Sequence, residues 1–285
     1  MNVHRFGRFT RFALGSLAAS LLAIVLQSGQ VASAQEKLDL VEPGYLTVAV
    51  FANRHPVIGY DNNDVMQGVD GGFFKAFAES HGLKVKIYKT TFSSTILAVQ
   101  QGKVDIGTWF YYTPERAKQV RYTFPFLKDT AAVYTMGPLE YTGPDSLKGK
   151  VVSTVVGYSW APYVQEVFGS NAKLFPDGTV ALAALANGQV DAYIDTSWYS
   201  HSGAFAATGG MIARPLSVGD FGMPESVVYG LDYNFVRCGN KALAEALNAE
   251  MTALHESGKW AGLLEDNGVG DANLAPLRAP EQLCE

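Results

Sequence analysis

The chain has 285 residues, 48% of them apolar, enough for one large or two modest domains with a substantial core. It carries 22 basic and 27 acidic side chains, a formal charge of −5 at pH 7. That balance argues against nucleic acids and anionic membrane surfaces as partners, which need broad basic patches.

Residues 1–34 read as an export signal and not as part of the fold. Arg5, Arg8 and Arg11 form a positive start, residues 12–26 are apolar apart from Gly and Ser, and Ala32-Ser33-Ala34 supplies a small-residue cleavage pattern before Gln35. The apolar run is short for a membrane span, so an uncleaved anchor is the less favoured reading. No Cys follows it to carry a lipid, and no second apolar stretch is long enough to cross a bilayer. Cleavage removes three arginines and no acid, taking the formal charge to −8. A soluble exported product is expected.

From residue 45 onward, strand-like and helix-like segments alternate, the pattern of an α/β fold. Residues 45–51 are β-rich. Residues 71–81 place Phe73, Phe74, Phe77 and Ala78 at helical spacing, with Gly82 as a stop. Residues 84–88 alternate as a strand, 93–101 form a helix stopped by Gly102, and 104–108 read as a buried strand. The order then recurs: strand 150–156, helix 159–168, helix 179–187, strand 190–195. Residues 97–105 and 182–191 repeat one pattern, an apolar helix, a Gly stop, a polar residue and a Val-Asp strand entry. Two similar lobes follow, each a small doubly wound sheet. Residues 131–136 read as a strand leaving the first lobe and 226–231 as the strand returning. Residues 241–265 carry Leu243, Leu247, Met251, Leu254, Trp260, Leu263 and Leu264 at helical spacing.

Cys238 and Cys284 are the only cysteines. In an exported chain they could form a disulfide that ties the C-terminal tail to the body, two free thiols being the alternative. Neither has a ligand-spaced partner, and His55, His81, His201 and His255 are scattered, so no metal and no cofactor is assigned.

Residues 113–120 are the most informative stretch: Thr113-Pro114-Glu115-Arg116-Ala117-Lys118-Gln119-Val120, followed by Tyr122-Thr123-Phe124-Pro125-Phe126. A Thr cap, a Pro in the first turn and an Arg one turn in would set a guanidinium beside free backbone N–H groups, which suits a small carboxylate. With the strand 105–110 before it, this closely resembles the signature of the amino-acid-type periplasmic solute-binding proteins, family 3, of ABC importers. The resemblance extends over nearly all of residues 40–268. It implies a type II periplasmic-binding-protein fold: two doubly wound sheets joined by a two-strand hinge. Lobe 1 would be discontinuous, 35–136 plus 230–285, and lobe 2 would be 137–229. It also implies a periplasmic location, a membrane ABC permease as partner, a monomer, and capture of an amino acid or related small amine or carboxylate between the lobes.

The resemblance gives Arg116 the role of carboxylate partner. Gly157 and Ser159, in Gly157-Tyr158-Ser159-Trp160, would complete a carboxylate nest, Ser159 being equally readable as a helix cap. Asp195 would receive the ammonium, or only cap the helix that begins at Ser197. Its spacing of four from Asp191, where the family has five, leaves Thr196 at the expected place. Thr108 fits one of the family's small hydroxyl positions, whereas Tyr111 replaces the other. Residues 109–112 are four aromatics in a row, and alternation lets about two of them face one cleft. With Phe51, Trp109, Trp160 and Trp198 near loop mouths, an aromatic-lined site is expected, suited to a planar or cationic group. Asn53, Arg54 and His55 fall where the family places first-lobe contacts, and Arg54 could read a second carboxylate. The rival is an enzyme on the same scaffold, similar to the exported cyclohexadienyl dehydratases, with Asp195 or Glu225 as acid. No Gly-x-Ser-x-Gly, His-Glu-x-x-His or phosphate loop supports it, so no catalytic residue is assigned. A ligand-sensing partner of a membrane receptor would use the same cleft.

Overall fold

A computed structural model describes residues 38–201, 203–270 and 273–284, so the export segment read at 1–34 lies outside the described residues. The chain opens with β1 (Tyr45–Val50), the short pair β2 (Gly59–Tyr60) and β3 (Met66–Gln67), α1 (Gly68–His81), β4 (Lys84–Lys89) and α2 (Phe92–Gln100). Then come β5 (Ile106–Tyr111), the single-turn α3 (Pro114–Ala117) and the long strand β6 (Arg121–Met136). The middle of the chain holds β7 (Val152–Val155), α4 (Ala161–Phe168), β8 (Ala172–Phe175), α5 (Gly178–Ala186), β9 (Ala192–Thr196), α6 (Gly203–Ala207), β10 (Met211–Pro215) and α7 (Glu225–Val228). Strand β11 (Tyr229–Val236) returns, and α8 (Lys241–Glu256) and α9 (Lys259–Asp266) close the fold, separated at Gly258 by its left-handed backbone.

The strands run in the order β4-β1-β5-β11-β6-β9-β7-β8, with β10 on the other flank of β6. β1 lies parallel to β4 and β5, and β7 parallel to β8 and β9, as crossover helices require. β6 belongs to both halves. Its first part pairs with β11, from Arg121 opposite Val236 to Thr130 opposite Tyr229. Its second part pairs with β9 and β10, beginning at Ala131 opposite Thr196. The switch of partners therefore falls inside β6, between Thr130 and Ala131.

Two elements differ from the sequence reading. The buried strand begins at Ile106, not 104, because the Asp105 carboxylate accepts from the Val41 and Thr47 backbone N–H groups and stays in the preceding loop. It then runs on through Tyr111 and carries three of the four aromatics into the sheet. The return path at 226–228 is a helical turn, since the Pro224 carbonyl accepts from Val227 and Val228 N–H, and strand pairing starts only at Tyr229. Beside β6 the second connection is held by Leu216 N–H donating to the Ala131 carbonyl at 2.9 Å.

Two apolar clusters hold the molecule. One packs α1, α8 and α9 on the β1 sheet through Phe73, Phe74, Phe77, Ile106, Phe126 and Trp260. The other joins Val133, Tyr134, Val155, Leu185 and Ile194 to Phe110, Tyr111, Tyr158 and Trp160, so it passes from one half to the other. Cys238 and Cys284 are disulfide-bonded, with Cα atoms 5.5 Å apart. The tail they fix is also held by Gln282, whose side chain accepts from Tyr122 N–H and donates to the Tyr122 carbonyl.

Candidate functional site

A cleft between the two halves is lined by four groups of residues. Phe51, Ala52, Arg54, Val57 and Ile58 come from the segment after β1, and Phe92 from the start of α2. Trp109, Tyr111 and Arg116 come from β5 and α3. Tyr158, Ser159 and Trp160 precede α4. Thr196 ends β9, Trp198 and Tyr199 follow it, and Asp232 lies on β11. The empty space is about 570 Å³, part of it open to solvent.

The β5 wall is shaped by a bulge. Gly107 lies opposite Phe235 and Phe110 opposite Tyr233, so Thr108 and Trp109 together face the single residue Asn234. Trp109 sits at φ +65, a backbone state that bulky residues rarely adopt. Its indole Nε1 donates to Asp70 Oδ2 at 2.6 Å, which fixes the ring. Trp109 and Tyr111 line the cleft, whereas Phe110 and Tyr112 do not, in keeping with alternation.

Arg116 is positioned by its own helix start. Thr113 Oγ1 accepts from Arg116 N–H, and Pro114 occupies the first turn. The guanidinium donates from Nη1 to the Tyr111 carbonyl at 2.8 Å and from Nη2 to the Gly157 carbonyl, across the cleft, at 2.7 Å. Its carbon stands 4.9 Å from the Phe110 ring centroid and 5.5 Å from that of Phe92. Those two rings stack at 3.9 Å. Burial lowers the Arg116 pKa below its ordinary value, with Tyr122 and Glu115 opposing. Gly157 reaches its place with φ +86, which suits glycine.

Asp195 is fully buried, and its oxygens are taken. Oδ2 accepts from Arg54 Nη1 at 2.6 Å and from the Tyr193 hydroxyl, and Oδ1 accepts from Thr196 N–H at 2.7 Å. Arg54 also donates to the Tyr158 hydroxyl at 3.1 Å and lies over the Tyr199 ring. Burial works against the Arg54 charge, but Asp195, Tyr158 and Tyr193 more than offset it, so its pKa is raised.

Of the residues expected from the sequence, Phe51, Trp109, Tyr111, Arg116, Ser159 and Trp160 line the cleft. Gly157 contributes its carbonyl. Asp195 lies behind Arg54. Thr108 is buried off the cleft, its hydroxyl donating to the Ala49 carbonyl at 3.3 Å. Ser159 does not cap α4: the helix starts at Ala161 with Pro162 in its first turn, which leaves the cap position to Trp160. Trp160 is mostly core, its Nε1 donating to Thr154 Oγ1 and the Ile194 carbonyl. Glu225 is exposed at the start of α7 and does not line the cleft.

Phe92, Tyr158 and Asp232 were missed as lining residues. Asp232 could have been found, as a lone acid inside the apolar run of β11. It is 1% exposed, and no hydrogen bond reaches its Oδ2 among the described residues. Burial, then the charges of Asp129, Asp70 and Asp195, push its pKa well up. Among the described residues no group of His, Cys, Asp and Glu could hold a metal ion, and no helix is long and apolar enough to cross a membrane.

Two α/β lobes around a cleft, crossed by β6 and a second connection, define the type II periplasmic-binding-protein fold. Residues 46–268 match the model of the bacterial extracellular solute-binding proteins, family 3, and the chain belongs to that family. It is 26% identical over 236 residues to ABC transporter arginine-binding protein 1 of Escherichia coli K12, covering 80% of this chain and 89% of that one. To the putative ABC transporter arginine-binding protein 2 of the same organism it is 24% identical over 220 residues, covering 74% and 86%. The solved structure of an ancestral arginine-binding protein bound to arginine superposes with a TM-score of 0.67 at 26% identity, covering 79% of this chain and 98% of that one. These relatives are named as binding proteins and not as enzymes.

Proposed function

We propose that this chain is an extracytoplasmic receptor that captures an amino acid or a related small amine- or carboxylate-bearing solute in its interlobe cleft and delivers it to a membrane ABC permease. The observation that carries this reading is Arg116. Its guanidinium stands half-buried in the cleft beside the stacked Phe110 and Phe92 rings, with one hydrogen bond to each wall. A carboxylate entering there would meet a bidentate donor in surroundings that strengthen charge-assisted bonds. Lobe 1 is read as the part ending near Thr130 and resuming at Tyr229, with the partner-switching strand β6 as one hinge element. The export segment at 1–34 would deliver the mature chain to the periplasm as a monomer.

The test is thermal unfolding of the chain from residue 35 onward against amino acids and related acids. A solute at a hundred times its dissociation constant adds about 2.7 kcal/mol, a shift of several degrees. Arg116→Ala is expected to abolish the shift while leaving the unliganded chain folded. A full shift in that variant removes Arg116 from the site.

A further inference from the structure

We infer that Arg54 excludes the ammonium of an amino acid from the cleft, and that the solute is a monocarboxylate with an apolar or aromatic body and no amine. This rests on the receptor reading and narrows its solute to the carboxylate class.

Two guanidinium groups line the cleft, and they differ in one respect. Arg54 carries its counter-ion: Nη1 donates to Asp195 Oδ2 at 2.6 Å, and the other donors to Asp195 are the Tyr193 hydroxyl and the Thr196 N–H. Arg116 forms no ion pair among the described residues. It donates to two neutral carbonyls, those of Tyr111 and Gly157, and burial lowers its pKa where the Asp195 charge helps to raise that of Arg54. Both arginines reach the same short segment, Arg116 through the Gly157 carbonyl and Arg54 through the hydroxyl of the next residue, Tyr158, at 3.1 Å. An entering solute therefore meets one positive charge that the protein leaves uncompensated.

Among the described residues no wall offers an anion in return. Asp129 and Asp70 do not line the cleft: the first accepts from Tyr111, Ser197 and Thr130, the second from Trp109 Nε1. Asp232 does line it but is only 1% exposed, with its Oδ2 buried. Burial, with the charges of Asp129, Asp70 and Asp195, pushes its pKa well up and favours the neutral form. Ring faces that a cation would use already carry the two arginines, Arg116 by Phe110 and Phe92 and Arg54 over Tyr199. An ammonium would be stripped of water beside two cations, with no carboxylate to receive it. A carboxylate would gain Arg116 and leave its apolar body to Phe51, Phe92, Trp109 and Tyr158.

The experiment is calorimetric titration of the chain with matched pairs: hydrocinnamate and L-phenylalanine, indolepropionate and L-tryptophan, isocaproate and L-leucine. The members of each pair differ only in the ammonium. Wild type is expected to bind at least one of the acids and to favour it over its amino acid by about ten- to a hundredfold. An amino acid bound as tightly as its acid, or more tightly, overturns the inference and leaves the receptor reading intact. L-arginine is titrated as well, and its binding overturns the inference in the same way. Silence from every compound overturns the inference and counts against the receptor reading itself.

Arg54→Ala tests the residue itself. It frees the Asp195 carboxylate for an ammonium, so the preference for the acid should shrink by about tenfold or reverse. Adding Asp195→Leu should bring the preference back. A preference unchanged in Arg54→Ala overturns the role of Arg54, and so does a gain in amino-acid binding that survives Asp195→Leu, since added space would then explain it. Should Arg54→Ala fail to fold, Arg54→Gln replaces it, keeping an N–H donor for Asp195 without the positive charge, with the same result expected.

Discussion

Arg54 reaches from the segment after β1 across the cleft to Asp195 on β9, with Nη1 and Oδ2 2.6 Å apart. The acid that the family pattern offers to a solute's ammonium is thus neutralised by the protein's own guanidinium. The contact is tightly fitted: a Cβ at Gly178 would lie 1.7 Å from Arg54 Nη2 and 2.8 Å from the Tyr193 hydroxyl. One charged side chain therefore ties the two halves together from inside the cleft.

Breaking that pair from one side strands a buried charge. Arg54→Ala is expected to lower unfolding stability by about 3 kcal/mol, the low end for a buried pair because Arg54 keeps 13% exposure and Asp195 keeps two other donors. The double change Arg54→Met with Asp195→Leu should recover most of the loss. Urea unfolding of wild type, Arg54→Ala and the double variant measures both effects. Equal stability of Arg54→Ala and wild type would show that the pair contributes nothing net.

Gly230 on β11 supports the cleft wall from behind. A Cβ there would fall 2.1 Å from Cε2 and Cζ of Tyr111, a ring that is also anchored through its hydroxyl to Asp129. Gly230→Ala must push the ring toward the cleft or the strands apart, which costs about 1–3 kcal/mol. We expect a lower melting temperature together with weaker solute binding, read in one thermal titration. Unchanged binding would mean that the ring yields away from the solute.

The α/β order, the repeated Val-Asp strand entries and the closing helices were legible because each rests on local periodicity and Gly or Pro punctuation. The position of Arg116 was legible for the same reason: Thr113, Pro114 and the strand before them fix it within one turn. What escaped was set by pairing between distant segments. The bulge at Thr108 and Trp109 depends on the register with β11, and that register takes Thr108 off the cleft. Asp195 reads as a ligand until Arg54, 141 residues away, is seen to hold it. Asp232 stands out in the sequence as an acid among apolar neighbours, but only the fold brings it to the cleft wall.

The tail is fixed covalently and by hydrogen bonds. The Cys238–Cys284 bond spans a separation of 46 residues, for which loop-closure entropy gives about 4 kcal/mol. Arg121 also donates to the carbonyls of both cysteines, so the tail contacts survive in part without the bond. Replacing both cysteines by Ser should lower the unfolding free energy by about 3–4 kcal/mol, and reducing wild type should give the same value. A loss well under 1 kcal/mol would indicate that the tail is held by its hydrogen bonds alone.

Stability should fall as pH rises through neutrality, the reverse of ordinary acid denaturation. Burial pushes the Asp129 carboxyl up to about 7, against the hydrogen bonds from Ser197, Thr130 and Tyr111 that favour its ionised form, and the Asp195 charge adds to the rise. Unfolded, the same group titrates near 3.9. Between about 4 and about 7 the folded chain therefore holds a proton that the unfolded chain has released. Protons bound in excess by the folded state make stability decrease with rising pH across that window and level off above it. Asp70 and Asp232 are raised in the same direction and extend the slope upward. Urea midpoints measured across the window at constant ionic strength should decline, and Asp129→Asn should flatten the part of the slope near neutrality. A midpoint that instead climbs with pH through the window would show Asp129 to be ionised in the folded protein, with its three hydrogen bonds outweighing its burial.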